Sequence, residues 1–414
     1  MFDFMDMDFG ADNSPQHTGP YLPDAADCAR CGLCVGVCPT YRLFGTSEET
    51  PRSRVRTLSK ILIGNQTIST EEQLHLNNCL QCRACEPACP SQMAYGPLFD
   101  QAQAALKPQA NVLGKLALSL VANKPAFRRC LPLLALYLKS GLQKPLRWTG
   151  LLKKLQLAEA EALLSPPALK PLAEHYPASG TTRGHVALFT GCVAEAFDRA
   201  TLLASIKLLN AIGYAVTVPP GQGCCGAIHQ HNGQSAARLI ANNIKVFNAL
   251  DVDAVLHTAT GCGAMLSEYQ VDDDGAAASF TGRLQDITVF LLAHWPEELA
   301  LSPLPATVAV HEPCSQRNVL KNQQAVYSLL AKIPELGVSA LADNNVCCGA
   351  GGSYMLTHPS NAAQLRRLKH QSITAAQADY VVSSNFGCAV FLADAHVKLL
   401  HPLSLLAKQL PDSP

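Results

Sequence analysis

The chain has little charge for its length. Asp, Glu, Lys and Arg make up 15% of its 414 residues, against about 25% in an average soluble protein. Such a chain buries a large share of itself or hides surface against partners, and its 48% hydrophobic content is ample for packed cores. Neither sign is in excess, since 32 Lys and Arg face 32 Asp and Glu. That argues against nucleic acid as a partner. No apolar run approaches the roughly 20 residues that a membrane span needs. The segment from Met1 to Asp8 is acidic and lacks a basic n-region, so it does not read as a signal peptide. The expectation is a cytoplasmic protein, attached to a membrane only through its surface or a partner. There is no flavin fingerprint and no Ser-His-Asp set. Gly349-Ala350-Gly351-Gly352 lacks the spacing and the lysine of a phosphate loop and reads as a turn.

Cysteine, by contrast, is abundant, with 17 residues. In a small secreted protein that would mean disulfides; in a long chain with clustered cysteines it points to ligands in a reducing compartment. Eight fall in two copies of one spacing, Cys28-x2-Cys31-x2-Cys34-x3-Cys38-Pro39 and Cys79-x2-Cys82-x2-Cys85-x3-Cys89-Pro90. This run wraps a cubane [4Fe–4S] cluster, and in two-cluster ferredoxins its fourth cysteine ligates the other cluster. The expected sets are therefore Cys28, Cys31, Cys34 and Cys89 for the first cluster, and Cys38, Cys79, Cys82 and Cys85 for the second. Pro39 and Pro90 turn the chain away after the last ligand. Paired Cys-x2-Cys units also bind zinc, but zinc needs neither a third cysteine at the same interval nor a proline after a fourth.

The reading along the chain is an α+β multidomain protein. Residues 1–20 read as a disordered acidic tail. Residues 21–100 read as an α-helical ferredoxin domain with two [4Fe–4S] clusters, because the stretches 54–63 and 71–76 between the motifs have helical apolar spacing. Residues 101–184 hold twelve Lys or Arg against three Glu, with recurring prolines. They read as a basic linker of short helices, packed on its neighbours or forming a basic amphipathic surface for membrane or partner docking. Cys130 there reads as a small buried hydrophobe.

From residue 185 the chain repeats with a period near 122 residues. Each unit has an apolar strand ending near a cysteine, a Cys-Cys-Gly triplet, and a last strand leading to a Gly-Cys pair. The units span 185–300 and 305–410, and strand–helix alternation predicts two α/β domains with largely parallel sheets. The cysteines are Cys192, Cys224, Cys225 and Cys262 in the first unit, and Cys314, Cys347, Cys348 and Cys388 in the second. Cysteines at the carboxyl ends of parallel strands stand where such folds place their sites. Adjacent cysteines rarely bond to each other. Three readings stay open: a metal or iron–sulfur centre per repeat, a redox thiol pair, or buried structural cysteines. Gly226 and Gly349 are expected to supply close approach or a positive φ after each pair. His229, His231 and His311 lie near the cysteines; they read as exposed or capping residues, with a ligand or proton-donor role as the alternative.

The two cysteine runs, with Gly223-Cys224-Cys225-Gly226-Ala227, the segment from Thr258 to Ala264, and the segment from Cys347 to Pro359, resemble the iron–sulfur subunit of bacterial glycolate oxidase (glycolate dehydrogenase). The resemblance runs from about residue 21 to 410. It implies partner subunits that contain FAD and oxidise glycolate to glyoxylate, with electrons passed through two [4Fe–4S] clusters to a membrane quinone or another acceptor. It also implies a location on the inner face of the cytoplasmic membrane through that complex. Related readings are a relay for lactate or glycerol 3-phosphate, a heterodisulfide-reductase-like enzyme with its own site in the repeats, and a scaffold with zinc there. Heterodisulfide-reductase-type repeats close with Cys-x-x-Cys, whereas this chain has Met265 and Phe391 at the last position. Four thiolates remain per repeat, which argues against a five-ligand cluster.

Overall fold

A computed structural model describes residues 28, 31–64, 66–106, 112–155, 157–271, 274–394 and 397–411. The expected tail, residues 1–20, lies outside the described residues. The first module is helical. Between the two cysteine runs stand the helices Pro51–Leu62 and Thr70–Asn77, and after the second run comes Tyr95–Leu106. The side chain of Thr50 caps the first by accepting from Ser53 N–H. Ser69 and Glu72 form a capping box on the second, each side chain satisfying the other's backbone N–H. Their apolar faces meet in a core of Val55, Leu58, Leu76, Leu98 and Phe99.

A string of helices follows, with Val112–Ala122, Lys124–Ser140 and Gln143–Trp148 its longest members. Then come two sheets. The first contains β1 (His175–Tyr176), β2 (Gly184–Phe189), β3 (Tyr214–Thr217), β4 (Ala254–His257) and β5 (Leu284–Asp286), in the order β1-β3-β2-β4-β5. The second contains β6 (Ala306–His311), β7 (Leu336–Ala340), β8 (Tyr380–Ser383) and β9 (Leu399–Leu400), in the order β7-β6-β8-β9. Without its antiparallel edge strand β1, the first sheet has the same all-parallel order as the second. The repeat in sequence is thus a repeat in topology.

Parallel strands covered on both faces read as continuous apolar runs. Val186 to Phe189 and Val308 to Val310 are accordingly buried along their whole length. One hydrophobic core runs through both repeats and includes Val186, Leu188, Val308 and Val310. Helix Arg199–Ala211 packs on the C-terminal helix Pro402–Lys408, and Lys207 Nζ donates to Ala407 O across that contact. The repeats therefore join at their helical sides. At the strand ends they meet again through a hydrogen-bonded seam that involves the cysteine loops.

Candidate metal centres

The left-handed backbone at Gln81 and Arg83 curls the second cysteine run into a tight loop. The loop and Cys38 bound a small cavity lined by Cys38, Cys79, Cys82 and Cys85, with Arg54 and Tyr95 among its other walls. Cys79 Sγ accepts from Gln81 N–H (3.4 Å) and Tyr95 O–H (3.4 Å). Burial pushes the Cys82 and Cys85 thiols far up. One buried and three half-buried thiols, with hydrogen-bond donors turned toward Cys79 Sγ, fit an iron–sulfur cubane, which delocalises thiolate charge over the cluster.

Arg54 stands behind this cavity, fully buried. It donates to Thr40 Oγ1 (2.8 Å), Glu49 O (3.1 Å) and His75 O (2.7 Å), and its guanidinium lies 3.7 Å from Cys38 Sγ. It also forms a salt bridge with the buried Glu49 carboxylate, which accepts from Asn78 Nδ2 (2.6 Å) and lies 2.7 Å from His75 Nδ1. Burial works against the Arg54 charge, but Cys79, Tyr95, Cys38 and Glu49 more than offset it, so its pKa rises. Elsewhere in the module, Cys34 lies near Cys28, Cys31 and Cys89; burial and then these neighbours raise its thiol pKa. Cys38 thus lies with Cys79, Cys82 and Cys85, and Cys34 with Cys28, Cys31 and Cys89.

In the first repeat, Cys192, Cys224, Cys225 and Cys262 converge from the ends of β2, β3 and β4. Cys224 is held far below an ordinary thiol because Cys192 and Cys225 donate to it, as does His229. Gly226 N–H adds a further contact to Cys224 Sγ at 3.4 Å. In the second repeat, Cys314, Cys347, Cys348 and Cys388 are linked in a chain in which each thiol donates to the next. Cys348 donates to Cys388 Sγ at 3.2 Å, and the Cys314 thiol is raised by its hydrogen bond to Cys347 and by burial. None of these cysteines is in a disulfide. Gly226 and Gly349 have φ of 91° and 94°, so the turn after each pair uses a conformation that other residues avoid. Met265 and Phe391, which stand where a fifth cysteine would be, are buried apolar side chains packed against those turns.

The histidines correct the sequence expectation. His229 and His311 are buried rather than exposed, and His231 lies beside Asp100 (3.2 Å). His311 is part of the second site: its ring, Cys348 Sγ and Cys388 Sγ place one ligand atom each within 4.8 Å of one another. Its Nδ1 lies 3.0 Å from Ser383 Oγ, and burial lowers its pKa to about 3, which leaves a neutral ring able to ligate. In the aligned first repeat Phe189 replaces His311 and His257 replaces Ser383, so the two sites differ beyond their thiols. Lys369 is also buried, and its ammonium donates to Asp343 O just ahead of Cys347. Burial pushes its pKa down, while Cys348, Cys347, Asp343 and Cys388 act in the opposite direction. Cys130, expected to be buried, is exposed on helix Lys124–Ser140.

The groups are arranged side by side. Cys82 feels the charge of Cys314, and Cys347 that of Cys82. Asn318 Nδ2 donates to Cys82 O (2.7 Å), Gln81 Nε2 to His231 O (3.0 Å), and Arg83 pairs with Glu268 (2.6 Å). The cluster loop is therefore clasped by both repeats. The repeats are stitched together by Thr260 N–H to Ser384 O (3.1 Å), Ser315 Oγ to Thr260 Oγ1 (2.9 Å), and Asn385. Asn385 donates to Cys388 Sγ (3.3 Å) and accepts from Gly261 N–H (3.1 Å), the residue before Cys262. One amide side chain thus spans from one cysteine set to the other.

Comparison with known proteins covers the same segments of the chain. The 4Fe-4S dicluster domain model matches residues 24–103, and the cysteine-rich domain model matches residues 186–267 and 308–393. Two [4Fe–4S] clusters are thus the cofactors of the N-terminal module. The chain is 33% identical over 386 residues to the probable glycolate oxidase iron-sulfur subunit of Bacillus subtilis, with 87% of each chain covered. It is 31% identical over 385 residues to the glycolate oxidase iron-sulfur subunit of Escherichia coli, with 89% of each covered. Lactate utilization protein A of Shouchella clausii matches at 27% over 212 residues, 49% of this chain and 88% of that protein. Paired cysteine runs, doubled cysteine-rich units and a likeness extending along nearly the whole chain lead to one conclusion: this protein belongs to the family of glycolate oxidase iron–sulfur subunits.

Proposed function

We propose that this chain is the electron-relay subunit of a flavin-dependent glycolate-oxidising complex, in which partner subunits containing FAD convert glycolate to glyoxylate. When bound, the clusters supply one-electron carriers between that flavin and a membrane quinone or another acceptor. Cys28, Cys31, Cys34 and Cys89 hold one cluster, and Cys38, Cys79, Cys82 and Cys85 hold the other. Arg54 offsets the negative charge of the second set, and Tyr95 and Gln81 donate to its Cys79 sulfur. The four cysteines of each repeat, with His311 in the second, bind a further centre. Full-length relatives bear the glycolate oxidase name, whereas the lactate utilization relatives align with only half of the chain. That favours glycolate over lactate.

The observation that carries this reading is the contiguity of the Cys82 cavity and the Cys314 site, which supports transfer between them. The test is Cys82→Ser in the assembled complex. Stopped-flow bleaching of the flavin by glycolate is expected to proceed at the wild-type rate, while reduction of the external acceptor falls by at least about tenfold, with fewer irons per chain. Loss of flavin bleaching in the variant would refute the relay assignment.

A further inference from the structure

Residues 112–155 contain nine Lys or Arg and no Asp or Glu. This segment also exposes apolar side chains that the rest of the fold leaves uncovered. Leu116, Leu133 and Leu136 are 65–69% exposed, Leu142 is 53% exposed and Trp148 88% exposed. Helix Lys124–Ser140 shows how this arises. Lys124 and Leu131 turn inward and are buried, and Phe127 packs against Phe197. Half a turn round, Arg129, Leu133, Leu136 and Ser140 follow at spacings of four, three and four residues, which places them on one outward face. The expectation of a linker packed on its neighbours therefore holds for only one side of this helix.

The charges divide in the same way. Lys124 and Arg128 pair with Glu195, and Arg147 with Glu161. Arg129, Lys139, Lys144, Lys153 and Lys154 are exposed among the outward leucines and Trp148. Apolar side chains, a tryptophan and unbalanced cations on short helices are the composition of a surface that lies in a bilayer interface, and the charge complements anionic headgroups. No described helix is long and apolar enough to cross a membrane.

We propose that helices 112–155 dock this chain directly on an anionic phospholipid surface, with Leu133, Leu136 and Trp148 entering the interface and the lysines meeting the headgroups. The docking itself does not depend on the relay reading. Together with that reading it has a consequence, because Lys124 on the inner side of the same helix donates to Thr190 Oγ1 (2.9 Å) next to the Cys192 loop. The first cysteine-rich site would then face the membrane, where a quinone headgroup is available.

The chain carries its own probe. Its two tryptophans are Trp148 and Trp295, and Trp295 is already occupied, with its N–H on Leu299 O and Lys332 over its ring. The test uses the full cluster-loaded chain with vesicles of about one-third phosphatidylglycerol in phosphatidylethanolamine, and with neutral phosphatidylcholine vesicles. The expected results are co-sedimentation with the anionic vesicles at least about tenfold stronger than with the neutral ones, a similar loss between about 0.05 and 0.5 M salt, and a blue shift of Trp emission that Trp148→Phe abolishes. A Leu133→Ser, Leu136→Ser, Trp148→Ser variant and a Lys144→Glu, Lys153→Glu, Lys154→Glu variant should each bind about tenfold less, with iron content and circular dichroism unchanged because all six side chains are exposed. A chain that stays in the supernatant overturns the proposal and leaves a protein partner as the cover of this face. Sedimentation unaffected by both variants overturns it as well.

Discussion

Arg54→Met should loosen the grip of the protein on its second cluster, and the structure sets the size of the effect. Arg54 and Glu49 expose 1% and 3% of their side chains, so solvent screens their pairing very little. Removing one partner of a buried ion pair leaves an uncompensated charge and costs about 3–5 kcal/mol. Glu49→Gln should cost less, about 1–3 kcal/mol, because Arg54 keeps Thr40, the Glu49 carbonyl and the His75 carbonyl. With both changes no Glu49 carboxylate is left without its partner, so the double variant should be more stable than the sum of the singles predicts by about 2 kcal/mol. The assay is anaerobic bleaching of the cluster absorbance in guanidinium. If the pairing forms after the transition state, Arg54→Met accelerates bleaching by between about a hundredfold and a few thousandfold, at about 1.36 kcal/mol per decade. Strictly additive effects, or an Arg54→Met rate equal to wild type, would refute the idea that Arg54 neutralises buried charge behind Cys38.

Two further outcomes follow from the seam between the repeats. Asn385→Ala removes an N–H donor from Cys388 Sγ, and at about 1 kcal/mol for one hydrogen bond the midpoint potential of the proposed second-repeat centre should fall by about 40 mV. The first repeat, with Ala259 at the aligned position, supplies no such donor; an unchanged potential in EPR-monitored redox titration would count against the bridge. His401 donates from Nε2 to Thr258 O (3.0 Å), accepts at Nδ1 from Leu403 N–H (3.2 Å), and is held neutral by burial, with its pKa lowered from 6.5 to about 4. The unfolded state binds that proton more readily, so its contribution is complete above pH 6.5 and declines as pH falls toward 4, by at most about 3 kcal/mol. His401→Asn keeps a cap but does not titrate, and thermal unfolding between pH 7 and 4.5 should depend less steeply on pH; an identical slope would remove His401 from the account.

The sequence carried the parts of the architecture that rest on strict spacing. The cysteine runs, the doubled triplets and the apolar openings of β2 and β6 need few residues to declare themselves. Gly226 and Gly349 likewise mark a backbone requirement visible in one dimension. What escaped depends on tertiary placement. β5 and β9 are three and two residues long, too short for a periodic signal, and β7 contains Gly337, which weakens strand character. Arg54, Glu49 and Lys369 look like surface charges until the fold buries them. His311 could have been singled out by aligning the repeats, since an otherwise apolar strand has His311 where its copy has Phe189. Cys130 misled because free cysteine is usually buried, and its helix turns it outward with Arg129.

The clasp on the Cys79–Cys85 loop bears on how the protein is made. Gln81, Arg83 and Cys82 are held by residues 150, 185 and 236 positions further along the chain. On the ribosome this loop emerges long before His231, Glu268 and Asn318 exist, and domains form in the order of synthesis. Its final shape is therefore deferred until Asn318 has emerged. Iron delivered to Cys38, Cys79, Cys82 and Cys85 before then would meet a half-built receptacle. A truncation that ends before Asn318 should be synthesised yet hold its second cluster poorly.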